Sequence, residues 1–119
     1  MELTIAGIPV HGVEVDARTG CAHYRSACDI IAVKFNCCRT YYACFYCHEL
    51  EAGHHARVWP KARFDEKAVL CGACGAELTI REYVNGQAVC PSCGARFNPR
   101  CALHYHWYFE MPAAAGQSA

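Results

Sequence analysis

Apolar residues fall in short runs that glycine, proline and polar residues interrupt, a pattern typical of short strands. Residues 1–15 mix β-branched and apolar side chains with Gly7 and Pro9, which predicts one or two short strands around a turn. Residues 30–35 predict a short buried strand, and residues 56–70 predict a loop that leads into apolar residues 68–70. Residues 78–84 alternate in polarity, which is typical of a strand, and Asn85-Gly86 favours a type I′ turn. Residues 87–89 would then form the second strand of a β-hairpin.

The C-terminal stretch, residues 101–110, also alternates and predicts an amphipathic strand. Its apolar face carries Leu103, Tyr105, Trp107 and Phe109. A competing hypothesis is a hydrolytic zinc site with an open position, built from Cys101, His104, His106 and Glu110. We favour the strand because alternation explains more of the residues, and we do not expect an enzyme.

The composition needs a chemical explanation. A chain of 119 residues has room for one small domain with a small apolar core, yet this one contains eleven cysteines and seven histidines. Eleven thiols cannot all pair within one chain. The N-terminus lacks the features of a secretory signal, so we expect an intracellular, cytoplasmic protein with reduced thiols. Metal binding is therefore favoured over disulfide bonding.

Charge and hydropathy exclude two classes of partner. Eleven Lys and Arg balance eleven Asp and Glu, and the arginines scatter from Arg18 to Arg100 without forming a basic face. Zinc-bound thiolates would add negative charge, so nucleic acid is not an expected partner. The chain has no run of 18 apolar residues, so no membrane association is expected either.

Two C-x2-C pairs, fifteen residues apart, predict a four-thiolate zinc site in a zinc ribbon at residues 71–93. Its ligands are Cys71, Cys74, Cys90 and Cys93. Glycines that follow the knuckles permit the tight turns and the close approach of the backbone.

Residues 21–55 contain more candidate ligands than one ion can use. The knuckle Cys44-x2-Cys47 and the pair Cys21-x-His23 predict one site, because residues i and i+2 of an extended segment share a face. His48 follows its knuckle directly and must point away from that metal, towards His54.

A second site is then completed by two thiols from Cys28, Cys37 and Cys38. Cys37 and Cys38 would face opposite ways on an extended backbone, so we favour Cys28 and Cys38 and leave Cys37 as the alternative.

The combination of Cys21-x-His23-Tyr24, Cys37-Cys38 and Cys44-x2-Cys47-His48 with the paired knuckles closely resembles the CHY-type zinc finger family. The resemblance covers roughly residues 21–101 and implies a compact, mostly irregular scaffold that binds three Zn²⁺ ions. It also carries the ligand role to His54 and leaves His55 as a surface residue. The overall expectation is a small, zinc-stabilised, β-rich or irregular fold.

The domain organisation follows from these features. We expect an N-terminal strand segment at residues 1–15, a CHY-type domain at residues 16–110 with its ribbon at 71–93, and a disordered tail at 111–119. Some relatives carry this domain in front of a RING, which needs eight further ligands. Only Cys101, His104 and His106 follow Cys93, so ubiquitin ligase activity is not expected.

Two functions are compatible with the sequence. The first is a structural zinc finger that mediates protein–protein interaction through exposed aromatic rings. Those rings belong to Tyr41, Tyr42, Trp59, Trp107 and Tyr108. The alternative is thiol redox, zinc-transfer or assembly-helper activity through Cys37, Cys38 or Cys101. This second role also fits the similarity of the stand-alone form to short relatives of a mitochondrial intermembrane-space helper of small Tim assembly.

Two other chemistries are disfavoured. Cys44-x2-Cys47-His48 matches the c-type haem attachment sequence, but haem attachment generally needs export and no signal is visible. No βαβ pattern surrounds a C-x2-C pair, so a thioredoxin-like redox site is not expected.

Overall fold

Six short strands form one mixed sheet in the computed structural model, which describes residues 2–23, 29–86, 88–97 and 105–110, with only the backbone of residues 105 and 106. The strands are β1 (Glu2–Ile5), β2 (Ile8–His11), β3 (Ile31–Phe35), β4 (Thr40–Tyr42), β5 (Lys67–Cys71) and β6 (Glu77–Thr79). Their order in the sheet is β1-β2-β4-β3-β5-β6. The β2–β4 pair is parallel and the other pairs are antiparallel.

Three short helices and one 3₁₀ turn complete the described structure. They are α1 (Phe45–Glu51), a 3₁₀ turn (Lys61–Arg63), α2 (Ile80–Asn85) and α3 (Tyr105–Tyr108). In the described ranges, no helix has the length and apolar character that would let it span a bilayer.

The N-terminal segment forms the hairpin that its pattern predicts. Ala6 and Gly7 connect β1 to β2 with φ angles of 53° and 83°, and positive φ at both central residues is what a type I′ turn requires. Strand β2 then pairs in parallel with β4, with Val10 opposite Tyr41. Residues 2–11 therefore extend the same sheet that carries the later strands.

The central strands are buried on both faces of the sheet. In β3, Val33 and Phe35 belong to the larger apolar cluster, whereas Ala32 faces a smaller one with Leu70 and Val10. This two-sided burial explains why β3 and β5 are nearly continuous apolar runs. The larger cluster also contains cysteines of two ligand-rich segments, so the apolar core and the candidate metal ligands are contiguous.

The small β-rich fold class is confirmed. The strand predicted over residues 78–84, however, is wrong. Only Glu77–Thr79 is extended, and α2 follows at once. Thr79 and Glu82 form a capping box, and this local helix-start signal outweighs the alternation. The predicted type I′ turn is also absent from this connection, because Gly86 has φ −86°.

The strand predicted at the C-terminus is also wrong for residues 105–108, which form α3. Phe109 then pairs in parallel with Trp59, whose backbone accepts a hydrogen bond from the N–H of Glu110 at 2.8 Å. The Trp59 indole N–H donates to the carbonyl of Lys34 at 2.6 Å. Trp59 therefore joins the C-terminal segment to strand β3 rather than presenting a ring to solvent.

Replacing Thr79 with Ala removes the side-chain acceptor of the α2 capping box. We expect Thr79→Ala to lower the free energy of unfolding by about 1 kcal/mol, as loss of an N-cap does. The matched control Thr4→Ala changes an exposed threonine on strand β1 and should cost less. Chemical denaturation of the zinc-loaded variants measures both, and equal losses would contradict a capping role.

Candidate metal centres

Three groups of cysteine and histidine side chains lie close together among the described residues. Within each group, the potential ligand atoms all lie within 4.8 Å of one another. The first centre comprises Cys21, His23, Cys44 and Cys47; the second Cys37, Cys38, His48 and His54; the third Cys71, Cys74, Cys90 and Cys93.

Helix α1 begins inside the first centre. Cys44 is its N-cap residue, and the Cys44 Sγ accepts a hydrogen bond from the N–H of Cys47 at 3.4 Å. The N–H of Val13 donates to the Cys47 Sγ at 3.3 Å, which ties the segment before Cys21 to the knuckle. Such N–H donors stabilise sulfur in its thiolate form.

The spacing of the first centre matches tetrahedral coordination. The Sγ of Cys44 lies 3.6 Å from those of Cys21 and Cys47, and the Nδ1 of His23 lies 3.3–3.7 Å from the three sulfurs. Zinc bonded to sulfur at about 2.3 Å and to nitrogen at about 2.0–2.1 Å would separate its ligands by about 3.5–3.8 Å. The residues present therefore fit one zinc ion.

The electrostatics of this cluster also fit a bound cation. Hydrogen bonding by the thiols of Cys21 and Cys47, followed by burial, raises the pKa of Cys44. Several thiolates cannot be held this close without a compensating charge, and a divalent cation supplies that charge.

The second centre depends on the turn between β3 and β4. Residues 36–39 form this turn, with Arg39 at φ 54° and its N–H bonded to the carbonyl of Phe35 at 2.7 Å. The turn brings the Sγ atoms of Cys37 and Cys38 to 3.8 Å from each other. The premise that these neighbours lie on extended backbone and face opposite ways is wrong, because the chain reverses direction there.

Two histidines complete the second centre. His48 is fully buried and stacks on Phe35 with ring centroids 4.2 Å apart. Its Nε2 lies 3.2 Å from the Sγ of Cys37 and 3.8 Å from that of Cys38. Burial, reinforced by nearby His54, lowers the pKa of His48, which favours the neutral imidazole that binds metals.

The Nδ1 atoms of the two rings differ in their hydrogen-bond partners. Among the described residues, the buried Nδ1 of His48 has no hydrogen-bond partner, and a carboxylate oxygen of Glu49 lies 3.6 Å away. The Nδ1 of His54 lies 3.0 Å from the carbonyl of Ala52 and donates to it when protonated. A proton on Nδ1 leaves the lone pair of Nε2 available, so this donor set also fits zinc.

Two similar knuckles form the third centre. The N–H groups of Gly75 and Gly94 bond to the carbonyls of Cys71 and Cys90 at 2.8 and 2.9 Å. Both glycines have φ near +80°, a conformation that other residues rarely adopt. Across the two knuckles, Sγ separations of 3.8 Å join Cys71 to Cys93, and Cys74 to Cys90.

Burial differs between the two sides of the third centre. Cys71 and Cys90 are buried, whereas Cys74 and Cys93 are exposed. Burial raises the pKa of the Cys71 thiol to about 12, while the N–H of Ala76 lowers that of Cys74 to about 7. The third centre is therefore the one whose thiols are most open to solvent.

The structure brings together most, but not all, of the residues singled out in the sequence. The three centres contain twelve of the thirteen predicted ligands, including Cys37. Cys28, Cys101 and His104 lie outside the described residues, as does the predicted tail, and of His106 only the backbone is described. The support from the Val13 N–H had no signal in the sequence, because any residue offers a backbone donor.

The predicted aromatic surface is wrong for three of its five residues. Tyr41, Tyr42 and Trp59 are 4%, 7% and 1% exposed, so they belong to the core. Trp107 and Tyr108 are half-buried. The hydroxyl of Tyr108 accepts a hydrogen bond from the N–H of Phe45 at 3.0 Å, which places it against the start of α1.

Comparison with known proteins identifies relatives that match most of the chain. Helper of Tim protein 13 of Saccharomyces cerevisiae is 39% identical over 114 residues, covering 89% of this chain and 94% of that protein. Helper of Tim protein 13 of Kluyveromyces lactis is 36% identical over 100 residues, covering 84% and 87%. A probable E3 ubiquitin-protein ligase of rice is 34% identical over 80 residues, but these are only 23% of its length.

These relatives contradict the expected cytoplasmic location. The Helper of Tim proteins act in the mitochondrial intermembrane space, so the inference drawn from the N-terminus is wrong. The three Cys/His clusters fit three zinc ions, as expected for this cofactor. The family model of the CHY zinc finger matches residues 21–105, and the chain belongs to the CHY zinc finger family.

Proposed function

We propose that this chain is a non-catalytic helper of protein assembly whose interaction surface is held in shape by three structural zinc ions. The observation that carries the proposal is the presence of three complete four-ligand groups in a chain that is 39% identical, over 89% of its length, to Helper of Tim protein 13.

The ligand assignment rests on distance and on the number of donors. Each centre offers four thiol or imidazole groups, and four protein ligands close the coordination shell of a structural zinc. For the second centre we assign Cys37 together with Cys38, because their Sγ atoms and the Nε2 of His48 lie within 3.8 Å of one another. The remaining ligands are those grouped in the three centres above.

A closed coordination shell argues against catalysis at these ions. A catalytic zinc keeps a position open for water or substrate, usually beside three protein ligands. With four protein donors at each centre, an additional ligand would have to displace a cysteine or histidine. We therefore assign the ions a structural role.

An assembly role is supported by the relatives named Helper of Tim protein 13. We extend to this chain the role in that name, assistance to a Tim-type protein. The nine described cysteines are all used by the three centres, so a thiol redox mechanism would have to rely on Cys28 or Cys101 outside them. Protein binding is the function that the described residues favour.

Removing the metal should remove the fold. A structural zinc contributes on the order of 10 kcal/mol of apparent binding free energy, comparable with the whole stability of a small domain. We expect a strong chelator to abolish the cooperative thermal transition in circular dichroism, and added zinc to restore it. An unchanged transition after complete metal removal, verified by native mass spectrometry, would contradict a structural role.

Cysteine variants distinguish the two ligand sets of the second centre. We expect Cys37→Ser to bind two zinc ions in native mass spectrometry and Cys28→Ser to bind three, because the Cys37 sulfur lies 3.2 Å from the Nε2 of His48. The two substitutions remove the same group, so each is the control for the other. Three ions in Cys37→Ser and two in Cys28→Ser would reverse the assignment.

Complementation tests the assembly role. We expect the chain, directed to the same compartment as the yeast relative, to restore assembled Tim protein in Saccharomyces cerevisiae that lacks Helper of Tim protein 13, as measured on native gels. Cys44→Ser should fail to restore it, because the first centre loses a ligand. Failure of the unaltered chain, expressed at the level of the yeast protein and loaded with three zinc ions, would overturn the assembly role and leave zinc binding standing.

A further inference from the structure

A cavity of about 650 Å³ lies beside the second centre, and arginine and histidine residues make up most of its lining. Its lining residues are Asn36, Cys37, Arg39, His54, His55 and Arg57. Cys37 and His54 belong to the second centre, and the other four residues supply two guanidinium groups, one imidazole and one amide, with no carboxylate among the described residues that line the cavity. A cavity lined in this way favours an anionic ligand.

The turn between β3 and β4, which carries Cys37 of the second centre, also positions Asn36 and Arg39 in the cavity. Arg39 lies in the turn between β3 and β4, where its Nε donates to the carbonyl of Asn36 at 3.3 Å and its guanidinium carbon lies 4.8 Å from the ring centre of Trp59. The side-chain amide of Asn36 donates to the carbonyl of Val58 at 3.1 Å. Arg39 is therefore partly ordered before a ligand arrives, which reduces the entropy lost on binding.

Arg57 is positioned through its backbone. Its backbone lies within hydrogen-bonding reach of the Cys37 thiol, while the Arg57 side chain is exposed. The side chain can therefore be changed without removing this backbone contact. Arg39 and Arg57 together present two planar donors, the geometry that binds carboxylates in bidentate fashion.

The charge of the neighbouring metal centre does not cancel these cations. A zinc ion with two thiolates and two neutral imidazoles is formally neutral, whereas the first and third centres carry charges of 1− and 2−. Loading all three therefore lowers the formal net charge of the chain from zero to about −3, and all of the added negative charge belongs to the first and third centres. The second centre therefore adds no net negative charge beside the two arginines that line the cavity.

We propose that this cavity binds carboxylate side chains of an acidic segment in a protein partner, with Arg39 and Arg57 as the two guanidinium donors. The inference rests on the proposed protein-binding function and names the chemistry of its partner. A nucleic acid is a less suitable ligand, because the zinc-loaded chain has a net negative charge and its arginines scatter along the sequence without forming a basic face.

Peptide binding to the zinc-loaded full chain tests this inference. The probe is fluorescein-labelled octaglutamate, with octaglutamine as the uncharged control, followed by fluorescence anisotropy. We expect octaglutamate to bind, more weakly as salt rises, and octaglutamine not to bind. Arg57→Gln should weaken binding about tenfold or more, because it removes a charge-assisted pair.

Two further variants separate a specific site from general charge attraction. Arg96→Gln removes the same charge from an exposed position in the third centre's knuckle and should change the affinity less than about twofold. Arg57→Lys keeps the charge but loses the planar fork, so its affinity should lie between those of the unaltered chain and Arg57→Gln.

The contrary outcomes are distinct. Absence of octaglutamate binding by the chain with three zinc ions overturns the cavity proposal and leaves the proposed function intact, whereas a chain that does not retain its zinc overturns the proposed function. Equal weakening by Arg57→Gln and Arg96→Gln, in variants shown to hold three zinc ions, also overturns the proposal. Tighter binding of an oligodeoxynucleotide of equal charge, weakened by Arg57→Gln, would assign the cavity to nucleic acid instead.

Discussion

The rest of the structure depends on one constraint, the crowding of potential metal ligands. In each of three groups, four cysteine or histidine side chains place their ligand atoms within 4.8 Å of one another. Neighbouring thiols raise the pKa of Cys44, so the cluster resists ionisation unless a cation enters. Zinc relieves this repulsion and joins segments that are distant in sequence, such as Cys21 and Cys44. Coordination thereby adds to the stability that a small apolar core supplies.

Helix α1 links two of the three centres. Successive residues on a helix point about 100° apart, so Cys47 faces the first centre while His48 faces the second. The adjacent ligands of the Cys-His pair therefore allow one short helix to serve two ions. The third centre is separate and depends on two knuckles with the same internal hydrogen bonds.

Metal binding by these clusters is supported whatever the cellular compartment. Reduced cytoplasmic thiols were the first argument for it, and the relatives of the intermembrane space remove that argument. The geometry supplies a stronger one, because His23 and His48 lie among the cysteines at 3.2–3.8 Å, and disulfide bonding gives imidazoles no role. Coordination explains both residue types at once.

Local sequence determined the features that depend on residues close together in the chain. Three features follow from spacing, because the backbone geometry of a turn or helix is set within a few residues: the Cys-x2-Cys knuckles, the turn at Ala6-Gly7 and the different directions of Cys47 and His48. The Thr79–Glu82 capping box was equally local and could have revealed helix α2.

Only the tertiary structure decided which of the surplus groups meet and which aromatic rings are buried. Cys37 enters the second centre because strands β3 and β4 pair and force a turn at residues 36–39. Trp59 is buried because the C-terminal segment returns to pair with it. Both outcomes depend on contacts between residues that are far apart in sequence. A pattern of hydrophobic or ligand residues indicates which side chains need partners, but it does not indicate which part of the chain supplies them.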